Sequence, residues 1–368
     1  MTIGSMIKAY LRPAKSAVVP CLRTAGDLAC FGKGYCSHLL RGTHDRAAFL
    51  ALRRLFCATN GRLNDLLAYC HSATHRPYAV DARTSLLPGM DQKEVARAVQ
   101  CLDHDGYYVF EQRLPEEACQ RLTELALNAP CTGVDQNVQT IELEQFDSAR
   151  SSGVRFDLRQ QDIMENPTGQ RIASDPGLLA VAQAYFRAKA VQDLVAMWWS
   201  LPSSNPNSKA AQLYHFDMDR VKFLKFFVYL TDVDEKNGPH CFIAGSHRRL
   251  PKALRQDKRH TDEEVFAHYP PEQRIEIKGP RGTLCAVDTR GLHKGKKLVE
   301  GRRLIFQVEF AINLFGMYYP PVLLNDRFSL QFLSAIEQRP YTYANYVMPN
   351  AKTTAGRDSA FVQAGVGM

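Results

Sequence analysis

Residues 212–217 read Gln-Leu-Tyr-His-Phe-Asp, an apolar run follows from Val221 to Leu230, and Asn237-Gly238-Pro239 and Ala244-Gly245-Ser246-His247 come next. A second stretch reads Gly291-Leu292-His293, and Gly301-Arg302-Arg303 then opens a strand-like run from Leu304 to Phe310. Side chains on an extended backbone alternate faces, so His215 and Asp217 point the same way. Two ligands from one short segment and one imidazole from a distant strand can occupy one face of an octahedron. The opposite face stays open, as in the 2-His-1-carboxylate sites of non-haem iron. The spacing therefore marks His215, Asp217 and His293 as ligands of one iron ion. Arg303 stands ten residues after His293, one strand away. Its planar fork suits the carboxylate of a small dicarboxylic cosubstrate.

A His-x-Asp alone is weak evidence, and this chain holds a second, His260-Thr261-Asp262. There Thr261 and Glu264 form a capping box for a helix through Glu263 to His268, which accounts for the copy without chemistry. The first copy precedes a run rich in aromatic and β-branched residues and has its partner histidine and arginine in order. Asp219 follows His215 by four residues and competes with Asp217, but the i, i+2 pair is the better facial geometry, which leaves Asp219 as a supporting or solvent-facing group. His240, in Gly238-Pro-His, and His247, after Gly245-Ser246, read as loop residues. Lys222 and Lys225 read as strand-edge charges, and Trp198 and Trp199 as core.

A chain of 368 residues can bury a substantial core and a further small region. Its composition is that of an ordinary soluble protein, and no apolar run approaches membrane-spanning length. Met1 to Leu22 has only a short apolar patch, Ala17 to Leu22, broken by Pro20, and does not read as a signal peptide. The ten cysteines lack paired spacing, which favours reduced thiols in the cytoplasm over a disulfide framework or a zinc site. Residues 1–90 hold 12 Lys and Arg against 4 Asp and Glu, so the whole net charge of +8 belongs to that region. Such a region can meet an anionic partner or simply present a solvated helix face; nothing points to a specific nucleic acid.

The order of elements divides the chain into three regions. Residues 1–90 form a basic, mainly helical N-terminal region. Its helices cover Ala47–Cys57, with Thr43 as a candidate cap, and Arg62–Cys70, broken by Asn60-Gly61. Cys70, His71 and His75 complete no metal set and read as surface residues. Residues 91–325 form the jelly-roll domain and 326–368 a C-terminal extension ending in a small, polar, poorly ordered stretch from Pro349. Within the domain a helix begins at 91–98, Asp105-Gly106 turns, and Tyr107–Glu111 is a strand. A further helix runs from Leu114-Pro115 to Ala129. Residues 132–153 read as a loop, Val154–Ile163 as a strand, Gly177–Ala188 as a helix capped by Asp175, and Val191–Leu201 as a buried strand. Ser203–Ser208 is a polar loop. Short strands follow at Phe223–Leu230, His240–Ile243, Arg274–Lys278, Thr283–Val287 and Arg303–Ile312, with a helix at Ser329–Gln338. The pattern predicts an α+β protein with a double-sheet jelly roll flanked by helices.

Cys101-Leu-Asp-His-Asp-Gly-Tyr-Tyr-Val-Phe followed by Leu114-Pro-Glu-Glu resembles the entry to the phytanoyl-CoA dioxygenase family. So do His215-Phe-Asp217, Phe227-Val-Tyr-Leu-Thr-Asp-Val-Asp, Asn237-Gly-Pro, Gly245-Ser-His247, and His293 with Arg303. The resemblance spans roughly 100–313 and leaves 1–90 and the C-terminal tail outside it. It implies a double-stranded β-helix that binds Fe(II) and 2-oxoglutarate, uses O2, and hydroxylates an unactivated C–H bond while 2-oxoglutarate becomes succinate and CO2, with ascorbate as a supporting reductant. It implies that His215, Asp217 and His293 hold the iron and that Arg303 holds the distal carboxylate of 2-oxoglutarate, with Arg302 as the competing candidate. Gln212 and Phe227 take places that line the cosubstrate pocket in such enzymes. Asp217 argues for hydroxylation over halogenation, because related halogenases lack this carboxylate. The substrate implied is a small molecule or an acyl group, free or as a thioester. A jelly roll that only binds a ligand or partner, and a cupin-like metalloenzyme without 2-oxoglutarate, are the competing readings. The first would have lost one of the four residues and the second leaves Arg303 without a role.

Overall fold

The structure is a computed structural model and describes residues 23–135, 140–147, 153–203 and 211–349. Helices cover 23–41 (α1), Arg46–Thr59 (α2), Arg62–Thr74 (α3), Gln92–His104 (α4), Glu116–Asn128 (α5), Gln160–Glu165 (α6), Pro167–Ala173 (α7), Pro176–Phe186 (α8), Asp262–Phe266 (α9) and Leu330–Gln338 (α10). Strands cover Tyr107–Arg113 (β1), Cys131–Asp135 (β2), Thr140–Leu143 (β3), Gly153–Leu158 (β4), Val191–Ser200 (β5), Phe223–Tyr229 (β6), His240–Ile243 (β7), Arg274–Ile277 (β8), Thr283–Val287 (β9), His293–Gly295 (β10), Arg303–Ala311 (β11), Val322–Leu323 (β12) and Tyr346–Val347 (β13).

Eight strands pair antiparallel in the order β1-β9-β6-β11-β5-β4-β2-β3. A smaller sheet, β10-β7-β8, faces it. The segment at His215 extends that sheet by a bridge to His293. The two sheets form the double-stranded β-helix of the sequence reading. Every residue of β6 and β11 is buried, because both faces of the large sheet are covered. Alternation sorts the side chains. Leu304, Phe306, Val308 and Phe310 of β11, with Leu224, Phe226 and Val228 of β6, pack under α4, α5 and α8 beside Leu102, Leu122 and Val181. Ile305, Phe227 and Tyr229 turn inward toward Phe242 and Ile277 of the small sheet. Each such Leu or Phe removed from water contributes about 1.5–3 kcal/mol. Trp199 faces the helices, where its Nε1 donates to the Ala126 carbonyl at 2.9 Å and Phe146 stacks on its ring.

The helices of residues 23–90 join this packing. Phe56 of α2 meets Phe216 at a centroid distance of 5.4 Å, in a cluster with Tyr214, Met218 and Leu292. Asn64 of α3 donates to the Val221 carbonyl at 2.9 Å, and Asp65 pairs with Arg290 at 3.0 Å. These two helices therefore back the segment that carries His215 and Asp217. The N-terminal 22 residues and the final stretch, 350–368, lie outside the described residues, as does 204–208 of the polar loop.

Several expectations change. The loop read over 132–153 contains β2 and β3. β3 is the edge strand of the large sheet and β2 lies next to it, and the polar residues of both, Thr132, Thr140 and Glu142 among them, hide the period-2 pattern. The strand beginning at 154 stops at Leu158, and α6 follows from Gln160. Asp45, not Thr43, caps α2, accepting from Ala48 N at 3.1 Å, while the Thr43 hydroxyl donates to Ser37. His71 is buried and not a surface residue. Its ring stacks on His75 at 3.9 Å and its Nε2 meets the Tyr341 hydroxyl. Nine cysteines are free among the described residues, and no described helix is long and apolar enough to cross a membrane.

Candidate metal centre and cosubstrate pocket

His215 and His293 are brought face to face by backbone register. His215 N donates to the His293 carbonyl at 3.0 Å and His293 N to the His215 carbonyl at 2.8 Å. This is the close hydrogen-bonded pair of an antiparallel ladder. The rings lie 4.3 Å apart. Asp217 N donates to the Thr289 carbonyl at 2.7 Å, which continues the extended path. Tyr214, Phe216 and Met218 turn into the cluster under α2, so His215 and Asp217 turn out of it together. Asp217 Oδ1 lies 3.5 Å from His215 Nε2 and Oδ2 lies 3.3 Å from His293 Nε2. One donor atom from each of the three residues falls within 4.8 Å of the others.

Both imidazoles are set in the same tautomer. His215 Nδ1 lies 2.9 Å from the Leu213 carbonyl and His293 Nδ1 lies 3.0 Å from the Gly291 carbonyl. A carbonyl only accepts, so each Nδ1 carries the proton and each Nε2 lone pair points into the site. Burial holds His215 well below the usual histidine range. It favours the neutral, ligating form. Burial also disfavours ionised Asp217, but the positive charge facing it, from Lys225 first, outweighs this and holds the carboxyl well below the carboxylate range.

Lys225 is the residue whose place the sequence reading missed. β6 lies between β9 and β11, so Lys225 is not at a sheet edge. It alternates with Phe227 on the inward face, and its Nζ donates to Asp217 Oδ2 and Asp219 Oδ2, both at 2.8 Å. Burial opposes its charge, but the carboxylates around it win and raise it well above the lysine range. Glu309 lies 3.4 Å from the same nitrogen and is pushed well above the carboxylate range by burial. Lys222, by contrast, lies outside the cavity wall, 4.5 Å over the Tyr185 ring.

The triad opens on a cavity of about 650 Å3 whose wall includes Lys225, Phe227, His240, Arg303, Gln307 and Tyr319, together with Arg155, Trp198 and Arg259. Arg303 is buried. Its Nη2 donates to Ser200 Oγ at 3.2 Å, while Nε and Nη1 have no partner among the described residues. Burial pushes this guanidinium down to about 10. Arg302 faces away, 5.0 Å over the Trp199 ring. Gln212 is buried with its Oε1 accepting from Ser203 and is absent from the described cavity wall. His240 opens β7, over the residues expected for that strand, and is not part of the preceding loop. Its ring lies 4.9 Å from Phe227 and 5.5 Å from His293, and its Nε2 is buried without a partner among the described residues. His247 sits behind the turn at Gly106, away from the cavity. Trp198 is buried in the inner cluster, as expected, and also lines the cavity, with Arg155 4.3 Å over its ring. Alternation from Arg303 could have assigned Gln307 inward; Arg259 and Tyr319 lie on irregular segments that carry no such signal.

The donors fit a divalent metal of the iron type: two neutral imidazole nitrogens and one carboxylate converge, and a buried guanidinium with unused N–H groups stands in the same cavity. The fold and this donor set define a jelly-roll metalloenzyme. The chain belongs to the phytanoyl-CoA dioxygenase (PhyH) family, which it matches over residues 102–298. It is thus an oxygenase whose cofactors are Fe(II), 2-oxoglutarate and O2. No curated protein matches the chain. Among solved structures, it is similar to HygX from Streptomyces hygroscopicus with nickel and 2-oxoglutarate bound (17% identity, 62% of this chain and 90% of that one, TM-score 0.44). It is similar also to the non-heme alpha ketoglutarate dependent epimerase SnoN from nogalamycin biosynthesis (17%, 60% and 84%, 0.43) and to EctD from S. alaskensis (17%, 66% and 88%, 0.42).

Proposed function

We propose that His215, Asp217 and His293 hold Fe(II), that Arg303 takes the distal carboxylate of 2-oxoglutarate, and that the enzyme hydroxylates a C–H bond of a small molecule bound in the outer cavity. The observation that carries this reading is the shared cavity. Three convergent donor residues and one buried guanidinium, whose Nε and Nη1 have no partner among the described residues, line it together. Iron bound there supplies the activation of O2 coupled to decarboxylation of 2-oxoglutarate. The protein's part is binding and orientation. The Leu213 and Gly291 carbonyls fix both imidazoles, Phe227 covers the inner pocket, and Ser200 steers the Arg303 fork. Trp198 and Arg155, stacked on each other, supply an aromatic and a cationic group to the cavity wall that the substrate meets.

Two measurements test the reading. Anaerobic addition of 2-oxoglutarate to the Fe(II)-loaded protein should produce a metal-to-ligand charge-transfer absorption. Under O2, with ascorbate, 2-oxoglutarate should yield succinate, and a substrate screen read by mass spectrometry should find a product heavier by one oxygen atom. Metal-dependent turnover without any response to 2-oxoglutarate would refute the cosubstrate assignment.

A further inference from the structure

Two carboxylates follow His215 at intervals of two residues, Asp217 and Asp219. One completes a three-ligand set. A second would occupy a position that the cosubstrate or oxygen needs. The side chain that separates their roles is Lys225. Its ammonium, buried and fixed by the register of β6 with β9 and β11, donates to one oxygen of each. A lysine offers three donors. Here two go to these carboxylates, with Glu309 3.4 Å away on the third side.

We propose that Lys225 sets the coordination number of the metal site by holding Asp219 off the metal while it occupies Asp217 Oδ2. The proposal rests on His215, Asp217 and His293 being the ligands. The backbone at Asp219 is itself pinned: its carbonyl accepts from Met317 N at 2.8 Å, and Gly316 approaches so closely that an added Cβ would stand 2.1 Å from that oxygen. Only the Asp219 side chain is left to turn. Lys225 is what ties that side chain down, so it is a positioning residue that acts through two carboxylates.

The consequence is an opposed pair of effects. Removing the ammonium takes a positive charge away from the metal and frees a second carboxylate, so a divalent ion should bind more tightly. The same change fills a position that 2-oxoglutarate requires. A merely structural lysine would weaken both. The test uses metal-free full-length protein titrated with Co(II), followed by absorption spectroscopy, and then with 2-oxoglutarate. Lys225→Met should bind Co(II) about tenfold more tightly than the wild type and bind 2-oxoglutarate about tenfold more weakly, on the scale of a single charge-assisted interaction. Lys225→Met/Asp219→Ala should recover the 2-oxoglutarate affinity. If Lys225→Met does not fold, Lys225→Gln, neutral but still a donor, enters the same comparison with and without Asp219→Ala. Weaker Co(II) binding in the single variant, or a double variant that recovers nothing, would overturn the proposal. A wild type that binds no Co(II), or whose Co(II) spectrum ignores 2-oxoglutarate, would instead refute the ligand assignment beneath it.

Discussion

Arg303→Ala gives the most direct test of the cosubstrate pocket. This guanidinium is buried, bonded once to Ser200, and otherwise unpartnered among the described residues. Burial pushes it down to about 10, an unfavourable burial that a carboxylate arriving at Nε and Nη1 would offset. Losing a charge-assisted interaction of this kind costs roughly 1.5–3 kcal/mol, or about ten- to a hundredfold in affinity. Arg303→Ala should raise the dissociation constant for 2-oxoglutarate by that factor while metal affinity stays nearly unchanged. Arg303→Lys should recover only part, since an ammonium keeps the charge but not the fork. Arg302→Ala should change little, because Arg302 is exposed on the other face, over Trp199. The sign of the pH dependence follows from the cation. A guanidinium lowered to about 10 is still charged at neutral pH, so affinity should hold through the mildly alkaline range and fall only as pH rises through about 10. The assay is a 2-oxoglutarate titration of the metal-loaded variants. A large defect in Arg302→Ala with none in Arg303→Ala, or a loss of affinity that begins near neutral pH, would refute the reasoning.

His215→Ala, Asp217→Ala and His293→Ala should each abolish metal-dependent turnover and weaken Co(II) binding measured directly, since each removes one of three protein bonds to the metal; near-normal turnover of metal-loaded His293→Ala would redirect attention to His240. Phe56→Ala should destabilise the fold by about 3–5 kcal/mol through the cavity left against Phe216, and calorimetry with a Co(II) titration should find both a lower Tm and weaker metal binding. Glu309→Gln should change stability by less than about 1 kcal/mol, because burial pushes that carboxyl well above the usual carboxylate range, toward the neutral form that the amide matches in size; a large drop in Tm would mean that Glu309 is ionised against Lys225.

The sequence carried the fold where period and context agreed. Phe223–Leu230 and Arg303–Ile312 were legible as strands because both faces of the large sheet are covered, which turns alternation into continuous apolar runs. β2 and β3 were not legible, since two short strands at one end of the sheet with Thr, Glu and Asp among their residues look like loop. The triad was a matter of spacing, and spacing survives translation into structure: residues two apart share a face wherever the chain is extended. Lys225 failed for the opposite reason. A lysine in an apolar run is ordinarily an edge charge, and nothing local reveals that the strand is interior or that Asp217 and Asp219 wait opposite it. Recognising it requires the pairing of β6 with its neighbours, which is information from the whole sheet.

The same dependence explains why residues far from the metal motif bear on it. Alternation aims His215 and Asp217 at the cavity only because Tyr214, Phe216 and Met218 have somewhere apolar to go. Phe56 of α2 supplies part of that surface, and Asn64 of α3 holds the Val221 carbonyl at the end of the same segment. If the apolar side of the segment were uncovered, the alternation that presents the ligands would lose its driving force, since burial of those side chains is what selects one register over its one-residue slip. The geometry of the metal donors is therefore specified as much by the residues that turn away from the cavity as by those that enter it.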